Sequence, residues 1–333
     1  MLPSELERAV YGVVATPALH VADRHGVFTH LIRHGGATAP ELAAALGVDA
    51  DTLERVLLVL VAFGVLGKTP DERYVVPEPM RPYLDRDDPR YLGGFVEHLA
   101  TETVERMGRL DAYLREGKAA VDRDLPSPFE TLYRDEAATR DFLRAMWDLS
   151  YAPSQEIAAL AGLGDVTRLV DVGGATGPFA TAALQHAPAL HAVIFDLPQV
   201  EPYLRESAQR HGLIGRLAFK GGDFFADELP QGDCIAFGYV LSDWTDATCA
   251  MLLEKAYRAC TPPGRVLIME RLFDDARTGP LPTSVMNLTM HVETEGRHRT
   301  AAEYCALLEA AGFTNCEVHR TGGEKHLVIG HRK

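Results

Sequence analysis

The stretch Leu169-Val-Asp-Val-Gly-Gly-Ala-Thr-Gly-Pro-Phe179 has the residue types needed to wrap backbone closely around a polar ligand. Asp171 closes an apolar run, and Gly173, Gly174 and Gly177 allow a tight turn with no side chain in the way. The next apolar run, His191 to Val200, carries Asp196, an acid about 20 positions beyond the turn that suits the two hydroxyls of a ribose. A third run ends in Gly221-Gly-Asp-Phe-Phe225. There Asp223 can accept from an adenine amine while Phe224 lies against the adenine face. Turn, acid, then acid with aromatic is a specific order for an adenosine-containing ligand. The turn alone does not choose between NAD and S-adenosylmethionine.

These residues need strands that end together. From Arg168 onward six short apolar runs, RLVDVG, AVIFDL, LAFKGGDF, DCIAFGYVL, RVLIMERLF and HLVIGHR, alternate with helical segments such as PFATAALQHA and TDATCAMLLEKAYRAC. That alternation predicts an α/β fold with a mostly parallel sheet covered on both faces. Ligands in such sheets bind beyond the carboxyl ends of the strands.

Upstream, residues 1–90 read as helices, and residues 38–76 resemble a winged helix-turn-helix. Thr38 caps a helix opening at Ala39-Pro40, Gly47 ends it, and Asp49 or Asp51 starts the next. The second helix carries Leu53, Val56, Leu57 and Leu60 at helical spacing, and a hairpin wing is expected around Pro70-Asp71. One Arg among many aliphatics makes this helix a packing element, not a reader of a DNA groove. Residues 91–160 form a helical linker, broken at RDLPSPFETLY, and 161–333 form the ligand-binding domain.

A net charge of −14 excludes a nucleic-acid partner. No apolar run is long enough to span a bilayer, and no signal peptide is read, so a cytoplasmic chain is expected. The five cysteines (Cys234, Cys249, Cys260, Cys305, Cys316) are scattered and odd in number, which predicts buried free thiols in a reducing compartment.

The motifs DVGGATG, FDLPQV, GGDFF, VLSDWTD, GRVLIMERL, TEGRHRT and EYCALLEAAGF, in this order, resemble the S-adenosylmethionine-dependent O-methyltransferases of small molecules. That family includes caffeate, flavonoid and acetylserotonin methyltransferases and bacterial natural-product tailoring enzymes. The resemblance runs to the C-terminus from the helical region at the start. It implies an N-terminal winged-helix-type dimerisation domain, a homodimer, and a class I Rossmann-like methyltransferase domain. Its cofactor set maps onto Asp171, Gly173, Gly174, Asp196, Leu197, Asp223, Phe224 and Tyr239. Its acceptor pocket maps onto Phe142, Met146, Trp147, Trp244, Asn287 and Met290, side chains suited to a flat aromatic ring.

The chain departs from that pattern where the chemistry lies. The family base is a His in a His-Asp-Trp motif; here the residue is Ser242, followed by Asp243 and Trp244. Glu270 matches the Glu that orients the His, and the second Glu of the family is replaced by His298. A serine hydroxyl is no base near pH 7 and an imidazole is, so His298 is the expected base, with Glu270 or Asp243 positioning it. The acceptor is then a hydroxylated aromatic, methylated on oxygen or on the adjacent ring carbon.

Two further readings stay open at this stage. Asp243, His291 and His298 could hold a metal for C-methylation of a 2-oxo acid, although His291 follows Met290 on a helix, where neighbours point about 100° apart. Alternatively the cofactor is bound without methyl transfer. Two departures touch the cofactor site: Ala175 replaces the usual third glycine of the turn, and Gly238 stands where relatives carry Lys or Arg beside the adenine. The alanine is harmless if its φ is negative.

Overall fold

The local signals of the first hundred residues act as their chemistry requires in the computed structural model, which describes residues 2–333. Helices α1 (Ser4–Arg24), α2 (Val27–His34), α3 (Ala39–Leu46) and α4 (Ala50–Ala62) precede a hairpin of β1 (Gly67–Lys68) and β2 (Tyr74–Val75). Thr38 and Glu41 form a reciprocal capping box: each backbone N–H donates to the other side chain, at 2.9 and 3.4 Å. Gly47 ends α3 in the left-handed region, and Asp49 caps α4 by accepting from Thr52 N at 2.8 Å. Leu53, Leu57 and Leu60 join Phe28, Leu31, Leu42 and Tyr74 in one core, with Val56 packed at its margin. The helix-turn-helix and its wing are thus present. Leu6, Val10, Tyr11, Val13 and Val14 leave α1 with exposed apolar side chains.

The chain divides into two compact units. The first runs up to Val104 and includes Arg144–Leu149; the second comprises Glu105–Leu143 and Ser150–Lys333. Helix α5 (Glu136–Leu160) contributes to both.

The second unit is built on a seven-stranded sheet of order β10-β11-β7-β6-β3-β4-β5. Its strands are β3 (Arg168–Val172), β4 (His191–Asp196), β5 (Leu217–Gly221), β6 (Gly232–Gly238), β7 (Cys260–Glu270), β10 (Thr314–His319) and β11 (His326–Arg332). Short strands β8 (Leu272–Phe273) and β9 (Arg299–Thr300) pair with each other in parallel. Helices α6 (Pro178–His186), α7 (Glu201–Arg210), α8 (Asp246–Ala259), α9 (Leu281–Glu293) and α10 (Ala301–Ala310) complete the unit. Strands β5, β4, β3, β6 and β7 are mutually parallel, while β11 runs antiparallel to β7 and β10 antiparallel to β11. Alternation buries Leu169, Ala236, Leu267 and Leu327 in one core layer and Val170, Phe237, Ile268 and Val328 in the other. Chain order reverses on either side of β3, which opens a crevice at its carboxyl end.

Two expectations are corrected. A seventh strand, β10, joins the six anticipated; its residues are mostly exposed, so it has no apolar run to betray it. Cys305 and Cys316 are not free thiols but pair as a disulfide, because α10 leads directly into β10 and brings their Cα atoms to 5.7 Å. Cys234, Cys249 and Cys260 are free and buried as expected. Among the described residues no helix is long and apolar enough to cross a membrane.

Candidate active site

Strand β3 delivers the chain into a turn that only small residues can occupy. Gly173 has φ +66°, and a Cβ on it would lie 2.8 Å from Val240 Cγ2. A Cβ on Gly174 would lie 2.8 Å from Asp171 Cγ and 2.9 Å from Ile194 Cδ1. Ala175 has φ +50°, so the condition for a harmless alanine is not met: its Cβ sits in the left-handed region that glycine tolerates. The strained residue is nonetheless tied down, since Ala175 N donates to Asp196 Oδ2 at 2.8 Å. Leu197 N donates to the other oxygen of Asp196 at 2.7 Å.

Burial raises the pKa of Asp196 to about 6 against these two donors. It raises that of Asp171 to about 7, opposed by Lys325 and the Ala180 N–H. Asp223 Oδ1 accepts from Phe225 N at 2.8 Å, and Asp223 N donates to Asp227 at 2.9 Å. Sequence reasoning missed the support beneath this loop. Lys255, buried on α8, donates to the carbonyls of Phe224, Phe225 and Asp227 at 2.8–3.1 Å. It also missed Tyr133, whose hydroxyl is held in the neutral form by burial and by the nearby carboxylates of Asp196 and Asp243. Tyr239, with φ +56°, has the Lys325 ammonium 4.4 Å and the Arg271 guanidinium 5.0 Å from its ring centroid. Gly turn, acids and Phe224 thus gather at one end of the sheet, where Gly173 and Gly174 have no room for a Cβ against Val240, Asp171 and Ile194.

The second cluster lies where β6 ends in a helical turn over Leu241–Asp243. Ser242 is buried, and its N–H donates to Glu270 Oε1 at 3.1 Å. Burial raises the pKa of Glu270, with Ser242, Lys325 and Arg299 pulling the other way. Burial, then Glu270 and Glu293, hold Asp243 well above the usual carboxylate range. The segment leading to His298 packs directly on this turn: a Cβ at Gly296 would lie 1.9 Å from the Ser242 carbonyl oxygen. Arg299 locks the two segments. It donates to the carbonyls of Leu241 and Trp244, both at 2.9 Å, and to Asp246 Oδ1 at 2.9 and 2.7 Å.

His298 is buried by the same packing. Its backbone N–H donates to Asn287 Oδ1 at 2.8 Å, but neither ring nitrogen has a partner among the described residues. Burial, with Arg271 and Arg299 nearby, pushes its pKa down to about 3, so the imidazole is neutral. That makes it a hydrogen-bonding group and a poorer base than the sequence suggested. Glu270 Oε2 and Trp244 Nε1 are likewise buried without partners. Trp244 stacks on Phe129 (5.4 Å, 27°) and meets Phe225 edge-on at 4.8 Å, while Phe142 meets Tyr133 edge-on at 5.5 Å. Phe129, on the helical turn Pro128–Leu132, was not anticipated. Its only signal was an aromatic beside a proline.

Other expected acceptor contacts are placed less decisively. Met290 is half-buried on α9, and Met146 and Trp147 belong to the first unit. The alternative metal set is not assembled. His291 is exposed and edge-on to Tyr113 at 5.8 Å, and no three His, Cys, Asp or Glu side chains converge among the described residues.

A parallel sheet with this order, a Gly turn at its switch point and acids at successive strand ends defines the Rossmann-like methyltransferase class. Known proteins sharpen this. A family model described as an O-methyltransferase domain matches residues 109–314, and one described as an O-methyltransferase dimerisation domain matches residues 8–79. The chain is 34% identical over 266 residues to acetylserotonin O-methyltransferase of Bos taurus, covering 78% of this chain and 76% of that protein. It is 32% identical over 331 residues to the 3-hydroxy-5-methyl-1-naphthoate 3-O-methyltransferase of Streptomyces sahachiroi, covering 98% and 95%. The structure of human N-acetylserotonin methyltransferase in complex with S-adenosylmethionine superposes with a TM-score of 0.90 at 27% identity, covering 100% of this chain and 99% of that one. The chain belongs to the O-methyltransferase family and is an S-adenosylmethionine-dependent enzyme of the natural-product tailoring type.

Proposed function

We propose that this enzyme methylates the oxygen of a hydroxyl group on a small aromatic acceptor. The observation that carries this reading is a buried set of unpartnered polar atoms, on Glu270, His298 and Trp244, joined to an aromatic wall through Trp244 itself. A flat ring bearing a hydroxyl satisfies both halves. Acetylserotonin and a hydroxynaphthoate, named for the bovine and Streptomyces relatives, are acceptors of that kind. The dimerisation-domain match and the exposed apolar face of α1 support a homodimer.

The cofactor supplies a methyl group on a sulfonium, a good leaving group, so the protein has two tasks: alignment of the acceptor and removal of its proton. Asp171, Gly173, Gly174, Asp196, Leu197, Asp223, Phe224 and Tyr239 hold the cofactor, now with Tyr133. Trp244, Phe129 and Phe142 exclude water and align the ring, with Asn287 and Met290 as further acceptor contacts. His298 stays neutral and accepts or donates the hydrogen bond that orients the hydroxyl. The proton passes to the carboxylate pair Asp243 and Glu270. Burial raises the affinity of both for a proton, and Glu270 raises that of Asp243 further. Ser242 fixes Glu270 through its backbone N–H.

The test is incubation with S-adenosylmethionine and a panel of hydroxynaphthoates, hydroxyindoles and 2-oxo acids, with products identified by mass spectrometry and NMR. An aryl methyl ether is expected. Methyl transfer only to ring carbon or to a 2-oxo acid overturns the reading.

A further inference from the structure

Lys325 is a buried cation that neither the fold nor the proton chemistry above uses. Because β11 runs antiparallel to β7, pairing His326 with Glu270 and Leu327 with Met269, Lys325 sits beside the carboxyl end of β7. Its side chain is 1% exposed, and its ammonium reaches past β7 to the end of β6. There a Cβ built on Gly238 would lie 3.3 Å from Lys325 Nζ and 3.2 Å from Met269 Cε. The ammonium therefore lies beside Gly238, where a side chain would need it or the Met269 methyl to give by a few tenths of an ångström.

The surroundings of this ammonium lack an ion-pair partner. It lies 4.4 Å from the centroid of the Tyr239 ring. Asp171 and Glu270 stabilise its charge from a distance, and Arg271 opposes it. No carboxylate among the described residues makes a salt bridge to it. Asp171, in turn, lies directly beneath Gly174 of the cofactor turn, and the Lys325 charge favours its ionised form. An ammonium buried without an anion is costly, and the cost is recovered when an anion arrives. S-adenosylmethionine carries a single anionic group, the carboxylate of its methionyl part.

Resting on the cofactor assignment, we propose that Lys325 anchors the methionyl carboxylate of S-adenosylmethionine. Burial lowers the pKa of Lys325 to about 8, with Asp171 and Glu270 acting against burial and Arg271 with it, so the anchor is charged at neutral pH.

The experiment is calorimetric titration of the full-length protein and of Lys325→Met with two ligands. One is S-adenosylhomocysteine, which has the carboxylate, and the other is 5′-methylthioadenosine, which lacks it. Lys325→Met is expected to weaken S-adenosylhomocysteine about 10–100-fold, the range of a lost charge-assisted hydrogen bond, and to change methylthioadenosine less than about 3-fold. Unchanged S-adenosylhomocysteine affinity, or equal weakening of both ligands, overturns the anchor and makes Lys325 a countercharge for Asp171. A wild-type protein that binds neither ligand would instead bring down the cofactor assignment itself. Thermal melting of the variant confirms folding, since removing a buried charge leaves the core intact.

Discussion

The two halves of the active site differ in how their polar groups are paired. In the cofactor half both oxygens of Asp196 accept backbone N–H groups, and Lys255 feeds three carbonyls of the adenine-side loop. In the proposed acceptor half, Glu270 Oε2, Trp244 Nε1 and both nitrogens of His298 are buried with no hydrogen-bond partner among the described residues. The first half is held ready by its own chain. The second stores unmet hydrogen-bonding capacity, each group costing about 1–3 kcal/mol, which an acceptor molecule repays on binding. Specificity is therefore written in the half that is least satisfied.

Substitutions that separate proton removal from cofactor binding test this contrast most strongly. Asp243→Asn is expected to lower turnover about 10²–10⁴-fold while leaving S-adenosylhomocysteine affinity within a few-fold, read by single-turnover kinetics and calorimetry. Equal loss in both readouts would erase the distinction between the halves. Asp196→Asn should do the reverse, weakening the cofactor about 10–100-fold. The wild-type pH profile gives it a signature. In its proposed role Asp196 takes the ribose hydroxyls as a carboxylate, and its pKa is raised to about 6, so affinity should rise as pH increases through about 6 and that limb should vanish in the variant.

A smaller effect sharpens the stored-capacity argument. His298→Leu removes two unpaired buried nitrogens, so the melting temperature should rise by about 2–4 °C while kcat/KM falls at least about 10-fold. A fall in both would mean the imidazole has a structural partner. The smallest change tests the cofactor turn. Ala175→Gly relieves a left-handed alanine and should stabilise the protein by about 1 kcal/mol, measured by denaturant titration.

How much of this was legible in the residues follows from range. The cap at Thr38, the stop at Gly47 and the strand carrying Asp171 are local, and local chemistry announced them. The acids Asp196 and Asp223 were found because each closes an apolar run. Strand β10 was missed because an exposed edge carries no apolar pattern, and the Cys305–Cys316 pair because a disulfide depends on a helix-to-strand geometry that spacing does not encode. Lys325 and Phe129 reach the site only through pairings far apart in the chain, β11 on β7 and an aromatic stack on Trp244. His298 stands out from the motif by its residue type, but its protonation depends on burial and two arginines that no motif displays.

The contact between Gly296 and the Ser242–Trp244 backbone, with Arg299 bolting the same two segments, has a consequence for how such enzymes diversify. The loop after β6 and the loop before α10 have no freedom to drift separately, since bulk gained on one side is a collision on the other. Acceptor preference in this scaffold is therefore inherited, and is best transplanted between relatives, as a two-part cassette of residues 239–246 together with 294–300.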